Sequence, residues 1–142
     1  MGVISEIEDQ ILKILRADDL HAGVKIGSLP LGRNSERIFT FGRAAVWVCY
    51  AGSRYGKPQT TSLHVQSRSM RWSVLVLALN YRGDVEAADD ALPLLEAVID
   101  SLAGEEVGGN RLSLETDGLI ETGKPGIVGY EAMFALDAYL RR

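Results

Sequence analysis

Two long runs of β-branched and aromatic residues dominate the middle of the chain. The first spans Ala45–Tyr50 and the second Met70–Asn80, and a polar segment that opens Ala51–Pro58 separates them. Runs of this composition, bounded by Gly, Pro and Ser, are typical of β-strands. A second run beyond a polar excursion predicts an antiparallel partner. We therefore expect a long hairpin with arms at about residues 44–52 and 64–80.

Helical spacing of apolar residues predicts two amphipathic helices. The first covers about residues 4–17, and Ser5 is its expected N-cap because a hydroxyl there can accept a backbone N–H. The second helix contains Pro93. Since a proline inside a helix costs about 3 kcal/mol, we expect this helix to begin at Asp89 or Asp90, with the proline in its first turn.

Three further segments complete the predicted fold. Val24–Leu29 is a short strand, Arg111–Thr116 is a strand that ends at a turn over Asp117–Gly118, and Val128–Leu140 alternates as a half-buried strand. The order of helix, strands, helix and strands predicts an α+β fold. We expect a mainly antiparallel sheet with two helices packed on one face and a long protruding β-hairpin, in one domain over residues 1–142.

Composition and charge narrow the classes of function. The chain has 142 residues, with 46% hydrophobic and 24% charged residues, a formal charge of −4 and a pI near 5.2. A protein that grips phosphate backbones is expected to be basic, so this composition argues against nucleic-acid binding over the whole surface. Cys49 is the single cysteine, which excludes an intramolecular disulfide and is typical of a reducing compartment, so we expect synthesis in the cytoplasm.

The residues suited to catalysis form no known motif. His21 and His64 lack the spacing of metal-binding histidines, and Cys49 lies in an apolar strand, where a thiol is usually an inert small hydrophobe. Gly52–Gly56 follows a strand, as a phosphate cradle does, but no helix follows it, so we interpret it as a turn. The sequence predicts no catalytic residue, no cofactor and no metal.

A basic and aromatic cluster lies in and beside the hairpin. Tyr, Trp and Arg are enriched at the centres of protein interfaces. The candidate interface residues are Arg54, Tyr55, Lys57, Arg68 and Arg71. Trp47 and Trp72 fit the core better, and we expect Trp72 and Phe134 to face the two helices. The sequence therefore predicts an arm that contacts a neighbouring protein.

The order of these motifs resembles the tail terminator family of Mu-like contractile-tailed bacteriophages, over nearly the whole chain. An amphipathic helix at the N-terminus precedes the segments that carry the likeness. They are Tyr50–Gly56, Trp72–Gly83, Leu94–Leu102 and Gly129–Asp137. The most specific parts are the Tyr-x-Gly-Ser-x-Tyr block and the Asn-Tyr-Arg end of the following strand.

The resemblance implies a virion structural protein without catalytic residues, assembled in the host cytoplasm. Its subunits would form a hexameric ring at the tail–neck junction that caps the tail tube protein, stops tail polymerisation and docks the neck or head-completion protein. The tail sheath is a further candidate partner, and no membrane partner is implied. DNA would pass through the ring without specific binding. We expect a lumen of acidic or neutral side chains, with Arg54, Lys57, Arg68 and Arg71 turned toward protein neighbours.

Two other classes of function stay open at this point. One is another head–tail joining or tail-completion protein, which would share the small ring-forming design. The other is an enzyme or small anion-binding module that uses Arg54 and Tyr55, and a deep pocket holding Arg54 and His64 would favour it. An exposed strand edge would in addition offer a route to ring closure by strand pairing.

Overall fold

A five-stranded sheet forms the centre of the fold, and both helices lie on one of its faces. The computed structural model describes residues 2–18, 20, 23–59 and 64–141. The elements in chain order are α1 (Val3–Ala17), β1 (Val24–Ser28), a 3₁₀ helix (Gly32–Phe39), β2 (Ala44–Tyr55), β3 (Val65–Leu79), α2 (Asp84–Leu102), β4 (Glu106–Val107), β5 (Asn110–Arg111), β6 (Ser113–Ile120) and β7 (Ile127–Arg141). The α+β class expected from the sequence is confirmed.

The strands of the sheet follow the order β1-β2-β3-β7-β6. Only β1 and β2 run parallel, and the other three pairs are antiparallel. The long hairpin is therefore β2 and β3, as predicted, and the C-terminal strand β7 pairs along the whole of β3. In this register Trp72 lies between Tyr50 on β2 and Phe134 on β7. The short strands β4 and β5 form a separate small hairpin.

Helix α1 begins slightly earlier than the sequence indicates. Gly2 is the N-cap, without a side-chain cap, and its carbonyl accepts the backbone N–H of Glu6 at 3.0 Å. Ser5 lies inside the first turn, so the prediction that it caps the helix is wrong. The buried stripe of Ile7, Ile11 and Leu15 has the helical spacing that the sequence shows, and this burial fixes the helix whichever residue caps it.

The predicted start of helix α2 is also wrong, because the helix runs from Asp84 with Pro93 in its interior. Pro93 and Asp89, whose carbonyl would otherwise bond to residue 93, are both exposed, so water can reach the carbonyl that lacks a donor. Ala87 and Ala91 before the proline are fully buried. Their packing on the core outweighs the local cost of the proline.

The expected turn at Asp117–Gly118 is not formed either. Strand β6 continues through it to Ile120, with Asp117 opposite Ala132 of β7. The ladder with β7 supplies backbone partners that an isolated turn would lack. The chain reverses later, where Gly123 and Gly126 adopt φ of +68° and +76°.

The core has two parts, one on each face of the sheet. Trp72 and Phe134 are fully buried on the helix side, as predicted. Trp47 is buried on the opposite face, where it packs with Leu77 and with the region of the 3₁₀ helix. Its indole N–H donates to the carbonyl of Ile38 at 3.0 Å. The connection around the 3₁₀ helix therefore covers part of the sheet face that carries no α-helix.

Candidate protein interface

Three strands extend beyond the core as a projecting arm. We define the arm as Val65–Ser69 of β3 with the residues that pair with it, Arg54–Tyr55 of β2 and Asp137–Arg141 of β7. Full burial along β3 begins at Met70, so the five residues before it carry the arm about 17 Å past the core. The sequence predicted a two-stranded hairpin here. The third strand makes the arm a small sheet, which is more stable than a two-stranded hairpin alone.

On the helix side of the arm, Arg68 is held inside the subunit. Its Nε donates to Ser53 Oγ at 3.1 Å and its Nη2 donates to the hydroxyl of Tyr50 at 3.4 Å. The guanidinium also lies over the ring of Tyr55, 5.5 Å from its centroid. Burial raises the pKa of Tyr50, but the hydrogen bonds with Ser53 and Arg68 and the charge of Arg68 together bring that pKa below its usual value.

The opposite side of the sheet carries charged side chains with few contacts inside the subunit. Arg71 Nε lies 3.5 Å from Glu115 Oε1, and because both side chains are partly exposed this ion pair is weak. Arg54 and Asp137 are exposed on the same side, and within the described ranges neither has an ion-pair partner. Each of these two residues lies beside Ser69 of β3 in the strand register.

The predicted interface residues therefore do not share one surface. Strand alternation puts Tyr55 and Arg68 on the helix side and Arg54 and Arg71 on the other side, while Lys57 is exposed in the loop beyond β2. The four basic residues cannot all turn toward one neighbour. Their role at an interface stays a prediction, and it has to be argued face by face.

Neither outer edge of the arm is paired with a strand in the described part of the chain, although β5 lies close to β7 and its Asn110 lines one groove with Asp137. Strand β1 accompanies β2 only as far as Val48, and β6 accompanies β7 only as far as Ala135. Gly52, with φ of +117°, lies at a register shift in β2. Because this bulge lets the strand continue to Tyr55, the interpretation of Gly52–Gly56 as a turn is wrong.

The features that an enzyme or anion-binding module would need do not converge. The groove beside Arg54 has a volume of about 530 Å³, and His64 is not among the described residues that line it. His64 instead shares a hydrogen bond with Gln66 at 2.6 Å, and His21 lies outside the described residues. Burial, followed by the charges of Glu8 and Glu131, raises the pKa of the Cys49 thiol.

A metal site and a membrane-spanning helix are likewise not found among the described residues. Among the residues with described positions, no three His, Cys, Asp or Glu side chains come together as a metal site. No helix in the described ranges is long and apolar enough to cross a membrane.

Three exposed apolar side chains lie at the base, the end of the sheet opposite the arm. They are Tyr81 in the turn after β3, Val85 in the first turn of α2 and Leu119 near the end of β6, with exposures of 95%, 72% and 68%. We call these three residues the base patch. The sequence does not predict the base patch, because only the fold brings Leu119 near Asp84 at the start of α2, far away in the chain.

Comparisons with known proteins concern the family and the fold. The sequence pattern of a family described as Gp37 protein matches residues 19–139. None of the curated proteins matches the chain. Among solved structures, a chain of the virion of native gene transfer agent (GTA) particle has a similar fold, with a TM-score of 0.53 and 16% identity over 96% of each chain. At this identity the likeness concerns the fold alone.

Proposed function

The chain belongs to the Gp37 protein family, and from this premise we propose that it is a structural protein of a phage-like particle. Its fold recurs in a chain of a gene transfer agent virion, which supports a place in such a particle. We propose more specifically that it is a tail terminator. Its subunits would form a ring, of six copies by the resemblance stated above, that caps the tail tube and offers a docking surface to the neck.

The observation that carries the proposal is the arm with an open edge on each side. A subunit with one open strand edge can join only one other subunit, which gives a dimer. Open edges on two different strands allow each subunit to contact two neighbours head to tail. Head-to-tail contacts generate a ring when the rotation between subunits closes. The arm also extends past the core, where it adds little to the stability of its own subunit.

The two ends of the subunit suit contacts with two different layers of a tail. The base patch is apolar and exposed, so it offers a surface for a protein contact. The described part of the loop beyond β2 is polar, and its Lys57 is exposed and basic. A terminator contacts the tube on one side and the neck on the other, and these surfaces of unlike chemistry meet that requirement.

The proposal is tested by measuring the mass of the purified protein with light scattering and by imaging it alone and on tail tubes. We expect ring-shaped particles, either free or on the end of the tube. If the protein appears only as a monomer bound at one site per particle, the proposal is wrong. A position between head and neck, away from the tube end, would instead identify a joining protein of another layer.

A double charge reversal tests the contribution of the arm. Arg54→Glu with Lys57→Glu should weaken ring formation or attachment and leave the melting temperature nearly unchanged, since exposed charges contribute little to stability. The matched control is Lys13→Glu with Arg37→Glu, which makes the same change in charge at exposed positions outside the arm and the base patch. Normal assembly of the arm variant at physiological salt would remove the arm from the interface.

A further inference from the structure

We propose that neighbouring subunits join by parallel pairing of the open edge of β2 with the open edge of the neighbour's β7, with Arg54 beside the partner subunit's Asp137. This inference rests on the proposed ring and states how it closes. The partner is thus a second copy of this chain. The sheet would continue from one subunit into the next around the ring.

The direction of the strands fixes the type of pairing. Strands β2 and β7 are both antiparallel to β3, so they run parallel to each other. A rotation about an axis along the strands preserves their direction, so β2 of one subunit meets β7 of the next in parallel. Pairing of β2 with a second β2 about a two-fold axis would be antiparallel, and it would stop at a dimer.

Backbone groups on the two edges point outward at matching residues. The N–H of Gly56 donates to the carbonyl of Ser67 at 3.0 Å, so in this alternating ladder the backbone of Arg54 also faces β3 and that of Ser53 and Tyr55 faces outward. The same alternation directs the backbone of Asp137 away from β3. The sheet thus presents outward backbone groups at Ser53 and Tyr55 on the edge of β2 and at Asp137 on the edge of β7.

These groups determine a register. In a parallel pair, a residue whose backbone faces the other strand bonds to the two residues that flank its neighbour. The partner subunit's Asp137 N–H would donate to the carbonyl of Ser53, and the N–H of Tyr55 would donate to the carbonyl of the partner subunit's Asp137. This places the partner subunit's Asp137 level with Arg54, which lies between the two flanking residues.

The side chains at this register have opposite charges and lie on the same face. Within one subunit, Arg54, Ser69 and Asp137 form one row across the arm, on the side away from the helices. A continuous sheet would repeat the row, so each Arg54 would lie about 5 Å, one strand spacing, from the partner subunit's Asp137. Both side chains are exposed, and in the described chain neither has an ion-pair partner to give up.

Features on the edges limit pairing outside the ring. The charged side chains and the bulge at Gly52 are devices that protect strand edges from random association. The open stretch of β2 is short, because it lies between Val48 and the end of the strand at Tyr55. Each contact is therefore weak alone. Closure of the ring, or a tube end that aligns the subunits, supplies the remaining free energy of association.

Charge exchange is the first test. Arg54→Asp and Asp137→Arg should each reduce ring formation, and the double variant should restore it. Coupling between close charge pairs across interfaces corresponds to about tenfold in affinity or more, which mass measurements across a concentration series detect. Lys13→Asp is the matched control, because Lys13 is exposed on α1 away from the arm, so this variant should assemble normally and should not restore assembly of Asp137→Arg. Equal assembly of all these variants would overturn the inference.

Proline substitution tests the backbone bond separately from the side chain. Tyr55→Pro removes an outward N–H and spares the internal ladder, as proline does on edge strands, and Tyr55→Ala controls for the lost ring. We expect the proline variant to keep its melting temperature close to that of the alanine variant but to form fewer rings. Equal assembly of the two variants would overturn the assigned register.

Cysteine crosslinking tests which edges meet. In a Cys49→Ser background, a chain with both Arg54→Cys and Asp137→Cys should give a ladder of covalent oligomers, ending at the number of subunits in the ring. The two positions lie two strands apart in one chain, about 9–10 Å, which is too far for an internal disulfide. A chain that carries only one of the two cysteines should give no ladder of covalent oligomers.

The outcomes separate the inference from the proposed function. Rings that form without a ladder and without a charge effect would refute edge pairing and leave the terminator role standing. A dimer from Arg54→Cys alone would show two-fold pairing and refute the head-to-tail arrangement. If the unmodified protein never forms rings, free or on tubes, the proposed function itself is refuted and the edge pairing with it.

Discussion

The two tryptophans of the sheet allow a matched test of how the core is built. Both are buried, Trp72 at 0% exposure on the helix side and Trp47 at 4% on the other side. The indole N–H of Trp47 donates to the carbonyl of Ile38 at 3.0 Å, whereas that of Trp72 has no hydrogen-bond partner among the described residues. We consider the substitution of each by phenylalanine.

The two substitutions remove the same atoms, so the lost burial and the cavity largely cancel in the comparison. Trp47→Phe in addition loses a hydrogen bond, with a net contribution of about 0.5–1.5 kcal/mol. Trp72→Phe removes a buried unpaired donor, whose desolvation costs about 1–3 kcal/mol. Trp47→Phe should therefore be the more destabilising of the two, by about 1.5–4.5 kcal/mol.

Urea unfolding monitored by far-ultraviolet circular dichroism measures this difference without relying on tryptophan fluorescence. The slopes of the three unfolding curves must agree before their midpoints are compared. Tyr81→Phe, at a side chain that is 95% exposed, is the control and should change stability by less than about 0.5 kcal/mol. If Trp72→Phe is as destabilising as Trp47→Phe, the account of the unpaired indole is refuted.

Three further predictions concern the core, the thiol and DNA. Phe134→Ala should lower the free energy of unfolding by about 3–5 kcal/mol, because the ring is fully buried. The control, Leu119→Ala in the base patch, should change it by less than about 0.5 kcal/mol. An unchanged melting temperature for Phe134→Ala would contradict the assigned face. Since burial, Glu8 and Glu131 raise the pKa of Cys49, its alkylation should reach half-maximal rate at a higher pH than free cysteine, and Glu131→Gln should lower that midpoint. In the proposed ring of six subunits, a charge of −4 on each would give about −24, so duplex DNA should bind weakly and without sequence preference. Tight binding at about 0.15 M salt would contradict this.

The local pattern of apolar residues is enough to predict the strands that bury one face and the helix that buries one stripe of side chains. The arms of the hairpin, predicted at about 44–52 and 64–80, are found at Ala44–Tyr55 and Val65–Leu79, and helix α1 and strand β7 were also predicted. The errors at Pro93 and at Asp117–Gly118 have one cause. In both places the local signal is a helix or strand breaker, and contacts with distant parts of the chain outweigh it.

The candidate interface was harder to predict than the fold. Sequence reasoning found Arg54 and Tyr55 by their residue types, but it did not separate them, although strand alternation puts them on opposite faces. Asp137 was not singled out at all. Its place level with Arg54 depends on two registers across β3, and registers are long-range properties of the sheet.

The charges of the arm face two requirements, and they can serve both. A soluble subunit needs charged residues on an open edge, because an apolar edge would pair without control. An assembled ring needs those charges neutralised, because an unpaired charge at an interface is costly. Opposite charges at the same level on opposite edges satisfy each requirement in turn: Arg54 and Asp137 protect the separate subunit and neutralise each other only in head-to-tail pairing. Pairing of two β2 edges would instead bring arginines together, so the same two residues also select against the wrong partner edge.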